Sequence, residues 1–177
     1  MKVKKGVELM YNTIQMNETL IQKMLTWYTG DPARIQHFTK VYTYVSMIGH
    51  AEQLPEEQQH ILETASILHD IGIKLAEEKY HSSAGSLQEQ EGPAAARKML
   101  NDCGTYSEAV IDRVCYLIGH HHTYSNIDGL DYQILVEADF LVNLYEDHAD
   151  KEAIRTAIER IFKTKTGTEM AHVMFFI

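Results

Sequence analysis

Cysteine, proline and basic side chains are all scarce in this sequence of 177 residues. Cys103 and Cys115 are the only cysteines and form no CxxC pattern, so we expect two free thiols rather than a disulfide framework. No apolar run approaches the ~18 residues of a membrane span, and the first residues contain no apolar core typical of a signal peptide. These absences favour a cytoplasmic protein with no membrane partner.

The charge balance restricts the class of ligand. Sixteen lysines and arginines face 25 aspartates and glutamates, which gives a net charge of −9. A long nucleic acid requires a basic surface and is therefore excluded as a partner. A small anion stays compatible with this composition if a bound cation reverses the charge locally. Ten histidines in 177 residues are a first indication of a metal.

The apolar pattern predicts an all-α protein. Strong apolar periods repeat every 3.6 residues, and no segment alternates as a strand does. No repeat, low-complexity segment or flexible linker divides the chain, whose length suits one domain. We therefore predict a single helical bundle over residues 1–177, with a core at about 33–145. A helix at 13–28 precedes this core, and a helix at 152–162 follows it.

Prolines and one weakly patterned segment locate several helix ends. Asp31 and Pro32 have the residue types of an N-cap and a first helical position, so they predict the start of a second helix. Residues 74–90 show little periodicity and predict a long loop or a broken helix. Pro93 predicts the start of a further helix after this segment.

Four polar residues fall on apolar faces of the predicted helices: His37, His69, His121 and Asp139. A single histidine on such a face is usually a hydrogen-bonded core residue. A buried aspartate, however, is costly unless it is paired or bound to a metal. One divalent cation shared by these imidazoles and carboxylates accounts for all of them.

His69 and Asp70 are neighbours, and this spacing constrains their geometry. Successive side chains of a regular helix point about 100° apart. Both can reach one metal only where the helix ends, and Gly72 offers such an end. The alternative is a histidine near a helix C-terminus that has an aspartate beside it by chance.

The segment ILHDIG, at residues 67–72, resembles the signature of the HD superfamily of metal-dependent phosphohydrolases. That family's order is a histidine, the His-Asp pair and a distant aspartate, which matches His37, His69-Asp70 and Asp139. The aspartate stands in EADFLVNL, similar to its usual setting in the family. The resemblance covers most of the chain. It implies a bundle of the HD-domain type, with these four residues as ligands of one divalent transition metal.

Many HD proteins hold two metals, and the resemblance suggests further ligands here. The two-metal branches have a histidine four residues before a glycine, a position held by Gln88 in this chain. Their His-His pair is matched by His120 and His121, while Glu91 offers an oxygen ligand one turn after Gln88. A second metal would then share Asp70 as a bridge. The alternative for Glu91 is a capping role near a helix N-terminus.

The ligand types and the resemblance together imply a reaction. Imidazole and carboxylate ligands suit Fe, Mn, Co, Ni or Zn. Such a metal lowers the pKa of bound water toward ~7, so that hydroxide can attack phosphorus. We assign catalytic roles to His69 and Asp70 at the metal, and to Arg34 and Lys74 as cations that bind the phosphate. The expected substrate is a small phosphate ester, such as a nucleotide or related metabolite.

Two other functions are compatible with the same residues. One is a non-catalytic HD module that senses a metal and a nucleotide. The other is an iron-dependent oxygenase, since a few HD relatives use two irons for oxidation, and Gln88 counts against it. The sequence fixes neither the substrate nor the oligomeric state.

Overall fold

The computed structural model describes the backbone of residues 2–177 and the side chains of residues 13–177. Over this range the protein consists of helices and connecting turns, without a strand, which confirms the all-α prediction. The helices are α1 (Lys2–Trp27), α2 (Pro32–Ala51), α3 (Glu56–Leu68), α4 (Gly72–Tyr80), α5 (Gly85–Cys103), α6 (Glu108–Ile118), α7 (Leu130–Glu146), α8 (Lys151–Ile161) and α9 (Lys165–Phe175). Across the described residues, no helix has both the length and the apolar character that a membrane crossing requires.

Helix α2 begins where its cap residues predict. The Asp31 carboxylate accepts a hydrogen bond from the Arg34 backbone N–H at 3.1 Å, and Pro32 occupies the first turn. The apolar stripe of α2, including Phe38 and Val41, is fully buried against α3 and α7. This packing holds His37 on the inward side of the helix.

Helices α4 and α5 approach each other closely at Gly72. A Cβ atom at this position would lie 2.5 Å from the carbonyl oxygen of Gln88 and 2.8 Å from the backbone nitrogen of Gly92. Such contacts with backbone atoms cannot be relieved by a rotamer change. The glycine after the His69-Asp70 pair is therefore required by packing, and it brings α5 next to the metal-ligand candidates.

Residues 74–90 belong to two helices separated by a short connection at 81–84, so of the two alternatives predicted for this segment the broken helix is observed and the long loop is not. The first part of the segment belongs to α4, which buries only Gly72, Ile73 and Ala76 and so leaves a weak apolar pattern. Pro93 lies inside α5 instead of at its start, which is a correction. The helix continues past this proline, whose ring packs against the end of α6: a Cβ on Gly119, which follows α6, would lie 3.1 Å from the Pro93 ring.

The two ends of the chain are more helical than predicted. Helix α1 starts at Lys2 rather than at residue 13, although side chains 2–12 lie outside the described residues. Helix α8 nearly matches its predicted range, and α9 covers a tail to which no structure was assigned. Buried Glu137 of α7 accepts hydrogen bonds from the backbone N–H groups of Lys163 and Thr164, which fixes the α8–α9 connection. The assignment of residues 1–177 to one domain stays a prediction.

The Asp31 cap yields a test of how α2 is held in place. We expect Asp31→Ala to lower the free energy of unfolding by about 1 kcal/mol, because an N-terminal N–H of α2 loses its acceptor. Asp31→Asn keeps that acceptor and loses only the ion pair with Arg34, so it should cost much less. Urea denaturation measures both values. Equal losses for the two variants would assign the effect to the ion pair instead of the cap.

Candidate metal centre

Three helices bring four potential metal ligands to one point. His37 comes from α2, His69 and Asp70 from the end of α3, and Asp139 from the middle of α7. The Nε2 atom of His37 lies 3.1 Å from both His69 Nε2 and Asp139 Oδ1, and 3.4 Å from Asp70 Oδ2. All four side chains are buried. The structure therefore brings together the four residues of the predicted first site.

The histidine rings are oriented by hydrogen bonds on their far sides. His69 Nδ1 donates to the Ser66 carbonyl at 2.7 Å, which leaves its Nε2 atom facing Asp70 and Asp139. His37 Nδ1 lies 2.8 Å from the carboxylate of Glu146. A partner of this kind fixes the ring and increases the basicity of the nitrogen that faces a metal. Both Nε2 atoms are thus presented as ligands.

Burial and the neighbouring groups shift the pKa values of Asp139 and His37 in opposite directions. Burial raises the pKa of Asp139, but hydrogen bonds with His37 and His69 lower it more, so the carboxyl stays ionised. Burial lowers the pKa of His37, yet Asp139 and Asp70 outweigh it and raise the value to about 9. The negative charges of Asp70 and Asp139 therefore favour a positive charge among the imidazoles.

The donor set fits a divalent transition metal. Metal–ligand bonds of about 2.0–2.2 Å place neighbouring ligand atoms roughly 3–3.6 Å apart. The nitrogen and oxygen atoms here are separated by 3.1–3.6 Å. With His69 Nδ1 protonated, a neutral His69 ring turns an Nε2 lone pair toward His37 Nε2. A cation between these atoms would satisfy both rings and both carboxylates.

A second group of potential ligands shares Asp70. His121 is fully buried, its Nε2 atom lies 3.6 Å from Asp70 Oδ1, and this nitrogen has no hydrogen-bond partner. His122 lies close enough to join these two residues around one ion. Burial and the neighbouring His121 lower the pKa of His122 to about 4, so it is neutral at physiological pH. The side-chain oxygen of Gln88 lies 3.1 Å from His122 Nε2.

Two residues predicted for the second metal lie elsewhere. His120 stacks on Tyr116 and its Nδ1 hydrogen-bonds the carbonyl of that residue, so the inward pair of the HHH segment is His121-His122. The Glu91 carboxylate is held by Lys79 at 2.9 Å and by the Tyr80 hydroxyl at 2.8 Å. Glu91 has no capping role either, because α5 begins six residues before it.

The two predicted phosphate-binding cations have different positions. Arg34 lines the cleft beside His37, where its guanidinium is paired with Asp31 and Glu77, both at 2.7 Å. Lys74 points away from the cleft, because its Nζ hydrogen-bonds the Trp27 carbonyl and lies 5.5 Å from the centre of the Trp27 ring. The prediction for Lys74 is therefore corrected. Successive side chains of a helix point about 100° apart, and position 74 of α4 faces Trp27 instead of the cleft.

Sequence reasoning missed three residues that complete the site: Gln88, His122 and Glu146. Glu146 stands two helical turns after Asp139 on α7, a spacing that places both side chains on one face. The sequence therefore contained the signal for Glu146. It could not show which of the three consecutive histidines face the site, because that depends on the backbone conformation after the end of α6.

The potential ligands surround a cleft of about 220 Å³. Its lining combines the two metal-ligand groups with Arg34 and with polar side chains of α5 and α7, namely Gln88 and Asn143. Lys40 stands just behind it, in an ion pair with Glu146. The cleft is small and polar, so it suits a compact charged group rather than a large apolar one.

Comparisons with known proteins agree with this fold. A crystal structure of a predicted HD superfamily hydrolase from an uncultured Thermotogales bacterium has a similar fold, with a TM-score of 0.65 and 23% sequence identity. The similarity covers 96% of this chain and 90% of that chain. A search of curated proteins found no match. The family model of the HD domain matches residues 34–164, which is most of the chain. The protein therefore belongs to the HD domain family.

Proposed function

We propose that this protein hydrolyses a small phosphate ester of a nucleotide or related metabolite, with the help of a divalent transition metal. The observation that carries the proposal is the convergence of His37, His69, Asp70 and Asp139 beside the cleft. The two imidazole Nε2 atoms lie 3.1–3.6 Å from each other and from the carboxylate oxygens.

These four residues would hold the first metal. When bound, a divalent metal supplies a Lewis acid and lowers the pKa of a coordinated water. Glu146 and the Ser66 carbonyl orient the two imidazoles from behind, so the ligands are positioned before any metal arrives. Preorganisation of this kind reduces the reorganisation needed during reaction.

Arg34 is the cation best placed to bind the phosphate. It lines the same cleft as His37, and its pairing with Asp31 and Glu77 fixes the guanidinium at the rim. Guanidinium groups form paired hydrogen bonds with phosphate oxygens. A substrate phosphate in the cleft would therefore meet Arg34 on one side and the ligand cluster on the other.

We further propose that a weaker second metal position is formed by Asp70, His121 and His122, with Gln88 beside it. The unpartnered Nε2 of His121 supports this position, since a buried nitrogen without a hydrogen-bond partner is costly. Where two-metal relatives have a histidine, Gln88 offers a neutral carboxamide oxygen, a poorer ligand for transition metals. The first position should therefore fill before the second.

The net charge of −9 supports a small substrate. An acidic surface repels a long polyanion, whereas a single phosphate entering the cleft interacts mainly with the local cations. A small phosphorylated metabolite is accordingly the proposed partner. The cytoplasmic location stays a prediction.

The first-site assignment predicts metal content. We expect protein purified without chelator to contain about one tightly bound transition-metal ion per chain, by elemental analysis. His69→Ala and Asp70→Ala should remove it, because each deletes a first-site ligand. His50→Ala is the control, since this histidine is exposed and bonds only within α2. Equal metal content in all three variants would refute the assignment.

The second position predicts a gain of metal from one substitution. Gln88→His should raise the tightly bound Mn or Co from about one to about two ions per chain, because an imidazole replaces the carboxamide. Gln90→His is the matched control, because it makes the same change on an exposed position of α5. Isothermal titration calorimetry with each metal measures the stoichiometry. An unchanged stoichiometry in Gln88→His would remove this residue from the second position.

The activity prediction concerns rate. Metal-loaded protein should hydrolyse members of a panel of nucleotide and sugar phosphates, and EDTA should abolish this activity. Asp139→Ala should lower kcat/KM at least about 100-fold, because the metal is weakened and misplaced. Arg34→Met should lower it about tenfold, while Arg155→Met, at an exposed site on α8, should not. A folded, metal-loaded sample inert on the whole panel would favour the sensor function instead.

A further inference from the structure

A second, larger cavity lies between α1, α4 and α5. Its volume is about 860 Å³, compared with about 220 Å³ for the metal cleft, and the two share no lining residue. This volume lies within the usual range of small-molecule sites. Neither the family assignment nor the proposed hydrolysis uses the cavity.

The cavity is positively charged in an acidic protein. Lys23, Lys74 and Lys98 line it together with a single carboxylate, Asp102, which leaves two net positive charges. Lys98 is paired with Asp102 at 2.7 Å. Lys23 and Lys74 have no carboxylate within 4 Å among the residues with described side chains. Lys98 and, to a lesser extent, Lys23 lower the pKa of Asp102, and Lys74 Nζ hydrogen-bonds the Trp27 carbonyl at 3.3 Å. The lining still keeps two net positive charges, which attract an anion.

The remaining lining combines polar side chains of α1 (Thr19, Gln22 and Thr26) with an apolar part that includes the sole tryptophan of the sequence. Trp27 lies beside Leu75, Ala95 and Met99, and its ring is 5.5 Å from Lys74 Nζ. Apolar surface around a few polar groups is the usual composition of a small-molecule site. An indole also gives a flat surface on which a planar ring stacks favourably. The two kinds of wall therefore call for a ligand with an anionic group and a planar apolar part.

We propose that this cavity binds a small organic anion whose planar apolar part packs against Trp27 and whose charged group lies near Lys23 and Lys74. A long nucleic acid does not fit, because two net charges are far fewer than a basic footprint requires. Charge complementarity likewise distinguishes this ligand from a neutral lipid. The proposal does not depend on the hydrolytic function, since the metal cleft contributes no residue.

The single tryptophan makes binding directly measurable. We expect 8-anilino-1-naphthalenesulfonate, a planar sulfonate, to quench Trp27 emission saturably with one site per chain. N-phenyl-1-naphthylamine, which lacks only the sulfonate, should bind about tenfold more weakly or worse. Adenosine monophosphate and 1-naphthoate then distinguish a nucleotide from an aromatic carboxylate as the natural chemistry. Saturable quenching by either of these anions supports the site.

Charge variants separate this proposal from a non-specific apolar surface. The double variant Lys23→Met/Lys74→Met should weaken sulfonate binding about tenfold, whereas the matched double variant Lys151→Met/Lys165→Met, on exposed sites of α8 and α9, should leave it unchanged. Far-UV circular dichroism confirms that each variant is folded. Equal binding of the neutral and anionic probes, or equal affinity in both double variants, would overturn the proposal. Self-association that excludes the probe would also overturn it and assign the cavity to a second copy of the chain.

Discussion

The structure depends on the need to bury several ionisable side chains at one point without leaving their charges uncompensated. Asp70 and Asp139 are almost fully buried, and each carboxylate would be costly there alone. Three histidines surround them, and the aspartates raise the pKa of His37 and of His121 in spite of burial. A bound divalent cation is the compensation that suits all of these groups at once. Apolar packing of α2, α3, α6 and α7 brings these groups together.

The C-terminal ends of α3 and α6 position two of the histidines, His69 and His121. His69 and His121 stand just past the last residues of α3 and α6, and each donates its Nδ1 hydrogen to a carbonyl of the final helical turn. These carbonyls have no partner within a regular helix, so the same hydrogen bonds that orient the rings also satisfy the helix ends. The close approach at Gly72 then brings α5 and Gln88 to the opposite side of Asp70. The hydrogen bonds that satisfy the ends of α3 and α6 therefore also orient the potential metal ligands.

The two candidate sites for small molecules are both lined by cationic side chains in a protein that is acidic as a whole. These cations include Arg34 at the metal cleft, and Lys23 and Lys74 at the larger cavity. The two sites are separate in their lining but near in the chain. The hydroxyl of Tyr28, next to Trp27, donates to the backbone carbonyl of Asp70 at 2.6 Å. A hydrogen bond of this kind fixes the C-terminal end of α1 to the backbone of a metal-ligand candidate.

The sequence by itself determined the all-helical class and the start of α2, because apolar periodicity and cap chemistry are local properties. The four residues of the candidate first metal site were predicted from inward spacing together with the resemblance to the HD superfamily. His37, His69 and Asp139 stand at fixed offsets from buried neighbours, so their inward direction could be read from spacing. The tertiary structure decided the rest. His121 and His122 lie at the site while His120 does not, and Lys74 points toward Trp27. In a helix each successive residue changes the direction of the side chain by about 100°, so only the exact course of the backbone decides which residue faces the site. The Glu91 carboxylate is hydrogen-bonded by Lys79 and Tyr80. These two residues belong to α4, and only the packing of α4 on α5 brings them to Glu91.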